Sequence, residues 1–406
     1  MGPLHGIRVL DLSRVLAGPW CTQILADLGA EVIKVERPGE GDDTRHWGPP
    51  WLKDRGGKET RESAYYLGCN RGKSSITIDL ASDAGRDLVL ELAKSADILV
   101  ENFKSGGLAA KGLGYEHVRA VNPRIIYCSI TGFGQDGPRR KEAGYDYLIQ
   151  GMGGLMSITG NADGEPGAGP QRVGVAVSDL TTGMYSAIAI LGALHHRDVA
   201  GDGQFIDMAL LDTQVGWLAN QASNYLVGGT CPERTGAQHP NLAPYQPFRT
   251  SDGYVIIAIG NDAQYQKLCR ELGVPELGTD ARFRTNADRI ANRKPLIAAL
   301  EARTPARTSA EWMAALGAVG IPCGPINTIA EVFEDPQVKH RGLRIELDHP
   351  LSGKVPGVAT PIRYSGTELE YSKAPPLLGE DTDRVLRDVL GKSPAEIAAL
   401  RNQKVI

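Results

Sequence analysis

Short apolar runs alternate with amphipathic stretches through the first part of the chain. Residues 7–12 and 31–36 are apolar runs of strand length, and residues 18–28 between them place apolar side chains at helical spacing. The same alternation continues with a helix over 82–96 and strands over 97–103 and 124–130. Strands that alternate with helices indicate a parallel sheet with crossover helices, so we predict an α/β fold with a Rossmann-like open sheet.

The pattern changes in character beyond residue 194. Runs over residues 239–248 and 253–259 predict strands of a second, smaller unit. The elements predicted further on are helices over 263–272, 287–302 and 309–316, a connector over 321–336, a strand over 344–347 and a terminal helix from residue 381. We therefore predict that residues 1–220 begin a large Rossmann-like domain, that residues 221–325 form a small α+β domain, and that residues 326–406 return to complete the large domain.

Composition and charge narrow the classes of function. The chain has 406 residues, of which 42% are hydrophobic and 23% charged, so it is long enough for two or three domain-sized cores. A formal net charge of −4, without long runs of either sign, argues against nucleic acid or a membrane surface as a partner. The six cysteines are scattered without a CxxC pair, and we find neither a signal-peptide core nor an apolar stretch of membrane-spanning length. These features predict a cytoplasmic protein with free thiols.

Residues 171–194 contain the clearest candidate for chemistry. A β-branched alternation over residues 173–177 is followed by an apolar stretch of helical length, which predicts strand, turn and helix. Asp179 falls at the predicted helix start, where free backbone N–H groups and the helix dipole favour an ionised carboxylate at neutral pH. Because aspartate is among the best N-cap residues, a plain cap satisfies the local pattern, and a carboxylate nucleophile is the alternative interpretation.

Other candidate ligand-binding residues follow the predicted strands, since open parallel sheets bind ligands beyond the carboxyl ends of their strands. The basic residues there are Arg37, Arg71, Lys73, Lys104 and Lys111. They suit a phosphate-bearing ligand, although most basic residues of this kind are solvated surface residues. No GxGxxG follows the first strand and no P-loop motif occurs. A metal site is not predicted, because the adjacent His195 and His196 would point in different directions on a helix.

Two glycine-containing segments complete the candidates. Residues 38–65, rich in glycine, proline and charge, are predicted to form one long loop, and such loops are usually functional or disordered. Gly260 and Asn261 follow a predicted strand, where glycine would permit close approach to a ligand and a plain turn is the alternative. No Ser-His-Asp or Cys-His arrangement is recognisable, so a carboxylate remains the most plausible nucleophile.

Several ordered motifs together resemble the class III CoA-transferase family, also called CaiB/BaiF, and in particular its branch that uses succinyl-CoA and dicarboxylic acids. The matching segments are GIRVLDLSRVLAGPWCTQILADLGAEVIKVERPGEGD (6–42), CNRGKSSITIDL (69–80), DILVENF (97–103), NPRIIYCSITGFGQDGP (122–138), GYDYLIQGMGGLMSITG (144–160), VGVAVSDLTTGMYSA (173–187), IPCGPINT (321–328) and LLGEDTDRVL (377–386). The resemblance implies a Rossmann-like large domain that includes the C-terminus, a smaller α+β domain, and two chains interlocked as a homodimer.

The resemblance also implies roles for individual residues. Asp179 matches the family nucleophile, so the capping and catalytic interpretations can both hold. The positions that match CoA contacts are Val15, Leu16, Ala17, Arg37, Lys73, Asn102 and Phe103. Lys111 stands beside Ala110, where many relatives carry an arginine. Tyr145 and Asp146 match residues near the active site of relatives, and Gly260 and Asn261 match a glycine-bearing lid loop, although the multi-glycine run of some members is absent.

The implied reaction transfers CoA between carboxylic acids, with Asp179 carrying first an anhydride and then a CoA thioester. Acyl-CoA thioesters are substrates, and no tightly bound cofactor or metal is expected. Tyr145 occupies the position at which the racemase branch carries a histidine base, which favours transfer over racemisation. Two alternatives stay open from the sequence: an acyl-CoA racemase or epimerase, and a CoA-binding protein without turnover in which Asp179 only caps its helix.

Overall fold

A computed structural model describes residues 2–406 of the chain. The strands are β1 (Arg8–Asp11), β2 (Glu31–Glu36), β3 (Trp51–Lys53), β4 (Glu59–Ser63), β5 (Lys73–Thr77), β6 (Ile98–Glu101), β7 (Ile126–Thr131), β8 (Phe205–Ala209), β9 (Tyr245–Arg249), β10 (Tyr254–Ala258), β11 (Cys323–Pro325), β12 (Arg344–His349) and β13 (Gly353–Val358). The helices are α1 (Ala17–Asp27), α2 (Ala64–Leu67), α3 (Asp83–Lys94), α4 (Tyr115–Val121), α5 (Asp146–Met152), α6 (Leu155–Ile158), α7 (Val177–Ala200), α8 (Leu210–Gly216), α9 (Ala219–Gly228), α10 (Asp262–Glu271), α11 (Asn286–Ala291), α12 (Arg293–Glu301), α13 (Ser309–Ala318), α14 (Ile329–Glu334), α15 (Pro336–His340), α16 (Thr382–Asp388) and α17 (Pro394–Asn402). Short 3₁₀ turns occupy Asp43–His46, Ala109–Lys111, Pro275–Gly278 and Thr304–Ala306.

The described chain divides into two compact units. The sheet unit comprises the described part of Met1–Leu155 together with Val173–Leu226 and Gln337–Ile406. The second unit comprises Met156–Arg172 and Val227–Pro336. The sheet unit is therefore discontinuous in sequence, and it takes up the C-terminal residues from Gln337 onward. The predicted bounds differ from these units in three places: residues 156–172 and 326–336, predicted in the large domain, belong to the second unit, and residues 221–226, predicted in the small domain, belong to the sheet unit.

The sheet unit is built on a parallel sheet with strand order β5-β2-β1-β6-β7-β8. Alternate side chains of its strands point to opposite faces, so each face has its own apolar core. Leu10, Ile33 and Leu99 pack with α3, α4, α16 and α17 on one face. Val9 and Val32 pack with α1 and α7 on the other. Helices on both faces of a parallel sheet confirm the predicted Rossmann-like α/β architecture.

The edge of the sheet at β5 is covered by the chain that precedes α16. The backbone N–H of Ser75 donates to Asp381 Oδ2 (3.1 Å), and the N–H of Asp381 donates to the carbonyl of Ser75 (2.9 Å). The N–H of Thr77 donates to Thr382 Oγ1 (3.1 Å). The C-terminal segment thus satisfies backbone groups that an open edge would leave to solvent or to another chain.

Helix α7 runs along the sheet on the α1 side, and a glycine sets how closely the two helices approach. A Cβ atom on Gly183 would lie 2.7 Å from the carbonyl oxygen of Ala17, so only glycine fits at this crossing. By length and composition α7 is also apolar enough to cross a membrane, which the sequence analysis overlooked. More than half of its most apolar stretch is buried inside the protein, as in a core helix, so this feature is weak evidence for a membrane span.

The second unit has its own core around an antiparallel sheet of order β11-β10-β9. Val255 and Ile257 of β10 pack against Tyr265 and Leu268 of α10, and Trp312 of α13 closes the same cluster. Its helices begin at well-formed caps. Thr285 and Thr308, for example, each form a capping box with the residue three positions on.

The structure corrects three sequence-based assignments. The predicted strand over residues 173–177 is absent, because this segment pairs with no neighbouring strand and α7 already begins at Val177. The predicted loop over residues 38–65 contains the antiparallel pair β3 and β4. The single helix predicted over residues 287–302 is two helices, which break at Asn292, whose backbone angles are not helical.

Candidate active site

The order of the strands places a crevice between the ends of β1 and β6. The chain leaves β1 to form β2 on one side and later returns to form β6 on the other, so the loops that follow β1 and β6 diverge there. Asn102 joins the two loops. Its Oδ1 accepts from the backbone N–H of Arg14 (2.8 Å), and its Nδ2 donates to the carbonyl of Arg14 (2.6 Å). Asn102 therefore fixes the backbone of the loop that follows β1.

The next residue, Val15, holds a strained backbone. Its φ of 70° lies in the left-handed region, which is rare for a β-branched residue and costs of order 1–3 kcal/mol. The surrounding bonds impose this geometry, since Asn102 grips Arg14 and Asp42 Oδ1 accepts from the N–H of Val15 (3.2 Å). Strain of this kind persists where a backbone must present its groups in one direction, so the loop at residues 14–17 is a preformed wall of the crevice.

Two buried ion pairs support this wall from below. Lys34 Nζ lies 2.9 Å from Asp42 Oδ2, and Lys73 Nζ lies 3.1 Å from Asp11 Oδ2; all four side chains are fully buried. Burial alone raises the pKa of Asp11, but the charges of Lys73 and Lys34 outweigh it and hold the pKa at about 2. Lys73 also donates to Asn70 and to the carbonyl of Pro19.

The predicted contact of Lys73 with CoA is therefore not supported by its position. Every hydrogen atom of an ammonium group is used when three acceptors surround it, and Lys73 Nζ has three within 3.1 Å. The side chain has no exposed surface from which to meet a phosphate. Lys73 instead neutralises Asp11 beneath the loop that follows β1.

Asp179 lies in the first turn of α7, but it is not the residue that caps this helix. The N-cap is Ala176, whose side chain makes no capping bond. The carboxylate of Asp146, from the start of α5, takes that place: its Oδ1 accepts from the N–H groups of Ser178 (2.8 Å) and Asp179 (3.4 Å). Gln150 Nε2 donates to the other oxygen of Asp146 (2.7 Å) and holds it in position. The capping interpretation of Asp179 is therefore wrong.

This arrangement also overturns the expectation that Asp179 is fully ionised at neutral pH. Its carboxyl group receives no hydrogen bond from residues 2–406, because Asp146 already occupies the N–H groups at the helix start. Burial raises the pKa of Asp179, and the nearby charge of Asp146 raises it further, to about 7. A carboxylate with a raised pKa and no hydrogen bonds is more nucleophilic, once ionised, than a hydrogen-bonded one. These properties suit the predicted role of Asp179.

A cleft of about 340 Å³, here called the Asp179 cleft, brings most of the predicted site residues together. Its lining includes Val15, Leu16, Ala17, Asn102, Phe103, Tyr145 and Asp179. Asp146 does not line the cleft but holds the N–H of Asp179 from behind. Residues that the sequence analysis did not propose also line it, notably Arg14, Trp47 and Arg140. Arg14 and Trp47 could have been found from their place in segments that follow strands.

A second cleft of about 360 Å³, here called the Arg37 cleft, lies beside the first. Its lining combines Arg37 and Lys111 with Phe103 and apolar side chains that include Ile78 and Leu80. Arg14, Asp43 and Phe103 line both clefts, so the two are neighbours. Arg14 lies 3.1 Å from Asp43 and its guanidinium stands 5.3 Å from the Phe103 ring centroid, which fixes it at the boundary. The lining also contains five acidic residues, four of which are paired with a basic residue: Glu36, Glu40, Asp42, Asp43 and Asp79. Arg37 and Lys111 beside apolar side chains are the part of this lining that suits a ligand with a flat ring and phosphate groups.

Gly260 and Asn261 belong to the second unit, where they end β10 and begin α10. Asn261 is the N-cap of α10, and its Oδ1 accepts from the N–H of Gln264 (2.9 Å). The N–H of Gly260 donates to Gln264 Oε1 (2.9 Å). A Cβ on Gly260 would meet only that side-chain oxygen at 3.5 Å, so the second unit itself does not require glycine here. The lid role of these two residues stays a prediction.

The histidines weighed as metal ligands lie on α7. His195 and His196 are both exposed. Among residues 2–406, the histidine, cysteine, aspartate and glutamate side chains form no group of three or more that could hold a metal ion.

A family model, curated relatives and a solved structure each match nearly the whole chain. Residues 4–382 match the family described as CoA-transferase family III. The chain is 50% identical to a succinate–glutarate CoA-transferase of Agrobacterium fabrum, over 95% of this chain and 96% of that protein. It is 46% identical to a succinyl-CoA:glutarate CoA-transferase of Mus musculus, over 100% of this chain and 91% of that protein. A solved CaiB/BaiF family protein from Brucella suis superposes with a TM-score of 0.85 at 52% identity, over 96% of this chain and 99% of that one.

Proposed function

The chain belongs to CoA-transferase family III, and from this membership we propose that it moves CoA from succinyl-CoA to a dicarboxylic acid of the size of glutarate. Two relatives named for succinate or succinyl-CoA and glutarate support these substrates. The observation that carries the proposal is the carboxyl group of Asp179, unpaired within residues 2–406 and poised near neutrality in a cleft of ligand size.

The first half of the reaction loads CoA onto the enzyme. The ionised carboxylate of Asp179 attacks the thioester carbonyl of succinyl-CoA; the carbon–sulfur bond breaks, leaving a mixed anhydride and CoA thiolate. The thiolate then attacks the aspartyl carbonyl of the anhydride. Succinate leaves as the carboxylate, and Asp179 carries CoA as a thioester. No proton is transferred in either step, so neither step requires a general base.

The second half reverses these steps with the acceptor. The acceptor carboxylate attacks the aspartyl thioester and releases CoA thiolate, which gives an anhydride between Asp179 and the acceptor. The thiolate attacks the acceptor carbonyl of this anhydride, the product thioester leaves, and the Asp179 carboxylate is restored. Water must be kept out, since it would hydrolyse either anhydride. The reaction uses acyl-CoA as substrate and no tightly bound cofactor.

We assign the CoA moiety to the Arg37 cleft and the acid to the Asp179 cleft. Arg37 and Lys111 offer charge to the phosphates, and Phe103, which lines both clefts, would border the connecting arm. Arg37 is largely exposed and holds Glu40 at 2.6 Å, so a phosphate has to displace this weak surface pair. Lys111 lines this cleft next to Ala110, the position at which many relatives carry an arginine. Its place supports a role as the basic CoA contact.

We further propose that two copies of the chain interlock as a homodimer in the cytoplasm. Within the sheet unit, a groove of about 990 Å³ between α1, α7 and residues 355–362 is lined mainly by apolar side chains. Ile188 on α7 is 63% exposed there, and an exposed apolar groove supports a protein–protein contact at this place. Light scattering is expected to give a mass of about twice 43.5 kDa; a monomer at micromolar concentration would contradict the dimer.

The covalent route is tested by measuring intact mass. Brief incubation with succinyl-CoA is expected to add the mass of CoA less one water, and hydroxylamine should remove the adduct. Addition of glutarate should discharge it and yield glutaryl-CoA. Binding of CoA without any adduct, from succinyl-CoA or other acyl-CoA donors, would overturn the proposed mechanism. Exchange of the α-proton with deuterated solvent, without transfer, would identify a racemase instead.

The contact between Asp146 and α7 predicts a change in pH dependence. Loading requires ionised Asp179, so the loading rate of the wild type should fall as the pH drops through about 7. Asp146→Asn removes a negative charge but leaves an oxygen to accept from Ser178, so the pKa of Asp179 should fall and the acid limb should move to lower pH. The measurement is the rate of adduct formation between pH 5 and 9, and an unmoved limb would exclude this coupling.

A further inference from the structure

The loop that connects β7 to α5 is pinched at its base. The backbones of Gly132 and Gly144 touch, and a Cβ on Gly132 would lie 2.5 Å from the Cα of Gly144. The first half of the loop is anchored as well: the N–H of Gln135 donates to Asp207 Oδ2 (2.9 Å), and Gln135 Nε2 donates to Ser129 Oγ (2.8 Å). Residues between the two glycines therefore have a defined base from which to reach the Asp179 cleft.

Two adjacent arginines on this loop have different surroundings. Arg139 pairs with Glu142, with 3.0 Å between Nη1 and Oε2, and does not line the Asp179 cleft. Arg140 lines the cleft and makes no hydrogen bond or ion pair within residues 2–406. Arg140 is exposed, so its five donors, fixed in a fork that matches a carboxylate, are available to a ligand in the cleft.

The other cations of the Asp179 cleft are less suited to the far end of the acid. Arg14 is already held by Asp43 and by the ring of Phe103, at the boundary with the Arg37 cleft. Lys104 also lines the Asp179 cleft, but its ammonium group is a point charge without the planar fork of donors that matches a carboxylate. Arg140 instead lies on the loop that leads through Gly144 and Tyr145 to Asp146, which holds the N–H of Asp179.

We propose that Arg140 binds the carboxylate at the far end of the acid and so selects dicarboxylic over monocarboxylic substrates. This inference rests on the proposed function. One carboxyl group of each acid must react at Asp179, so a dicarboxylic acid brings a second charge that never takes part in the chemistry. Donor and acceptor acids occupy the same cleft in turn. Arg140 therefore binds the distal carboxylate of the donor's succinyl group and, later, that of the acceptor.

The test compares Arg140→Leu with Arg139→Leu, a matched removal of one arginine from the neighbouring position. For Arg140→Leu, kcat/KM for glutarate should fall about 10- to 100-fold, the usual effect of removing a charged hydrogen-bond partner, while kcat/KM for pentanoate stays within about twofold. Use of succinyl-CoA as donor should weaken in parallel, and use of butanoyl-CoA should not. Arg139→Leu should leave kcat/KM for both acids unchanged.

A reversal of charge gives the sharper readout. Arg140→Glu should disfavour glutarate further and should gain activity with 5-aminopentanoate, whose far end is an ammonium group. Equal loss for glutarate and pentanoate in Arg140→Leu would overturn the inference, as would the loss of selectivity in Lys104→Leu instead. If the leucine variant is less stable to urea than the wild type, Arg140→Lys serves instead; it keeps the charge but loses the fork, so its selectivity should lie between those of the wild type and Arg140→Leu. Failure of the wild type to form any CoA adduct would count against the proposed function, whereas an adduct with unchanged selectivity counts only against Arg140.

Discussion

Asp179→Asn is expected to lower the rate of CoA transfer by at least about 10³-fold and to abolish the CoA adduct. An amide has no ionised oxygen with which to open the thioester, and the other carboxylates that line the Asp179 cleft, Asp43 and Glu142, are each paired with an arginine. Steady-state transfer from succinyl-CoA to glutarate and intact mass are the two measurements. Asp179→Ala serves as a control, because an asparagine can revert slowly to aspartate by deamidation and an alanine cannot.

The same substitution should stabilise the fold above neutral pH. The pKa of Asp179 rises from 3.8 to about 7 on folding, so the folded state binds the proton more tightly and the wild type loses stability as the pH rises between those values. The full shift would correspond to roughly 4 kcal/mol, and partial exposure to solvent reduces this to about 1–2 kcal/mol. Urea unfolding should therefore show Asp179→Asn more stable than the wild type at pH 8 and nearly equal to it at pH 4–5.

These two results separate the catalytic interpretation from a binding protein without turnover. A CoA-binding protein without turnover would form no CoA adduct even as the wild type, so substitution of Asp179 would change its stability alone. Retention of more than a tenth of the wild-type rate by Asp179→Ala would show that another group carries CoA. A loss of stability at pH 8 would show that the carboxylate has a partner in solution.

Lys73→Met should lower the free energy of unfolding by about 3–5 kcal/mol, the usual cost of leaving a buried charge without its partner. Asp11 would remain in a fully buried site with only Lys34 as a nearby cation. Urea unfolding measures the loss. In the fraction that folds, KM for succinyl-CoA should stay within about twofold of the wild type.

The paired variant tests the cause of that loss. Asp11→Asn with Lys73→Met removes both charges and should recover a large part of the stability, since a neutral pair of similar size is often tolerated. A stable Lys73→Met whose only defect is a tenfold higher KM for succinyl-CoA would restore the role that the sequence analysis gave this residue.

The hydrophobic pattern predicts elements well where one face of the element is buried and apolar. The strand at Glu31–Glu36 was predicted with its observed bounds. The observed parallel sheet confirms the α/β class that the alternation of strands and helices predicted. Strands β5 and β8 were missed because their patterns are interrupted by polar residues. Ser75 in β5, for example, is buried because its hydroxyl donates to Glu36, which lies 39 residues earlier in the chain. A local sequence pattern cannot predict such a distant partner.

The sequence motifs predicted most residues of the candidate site but not the hydrogen bonds and charges around them. Asp179 was singled out from its place at a helix start, yet its ionisation was predicted wrongly, because the cap comes from Asp146 on a different helix. The motif around Lys73 favoured a phosphate ligand, and only the structure shows that its side chain is fully buried against Asp11. Arg140 carried no signal at all, since its position depends on the contact between Gly132 and Gly144.

The cover over the β5 edge has a consequence for the growing polypeptide. Ser75 and Asp381 are 306 residues apart, so at about 5–20 residues per second the ribosome needs roughly 15–60 s after it has made β5 before it makes the segment that covers it. Throughout that interval the nascent sheet offers unpaired N–H and carbonyl groups to other nascent chains on the same polysome. Production of this protein in a foreign host should therefore depend on chaperones that bind nascent chains, and messages truncated before codon 381 should yield inclusion bodies.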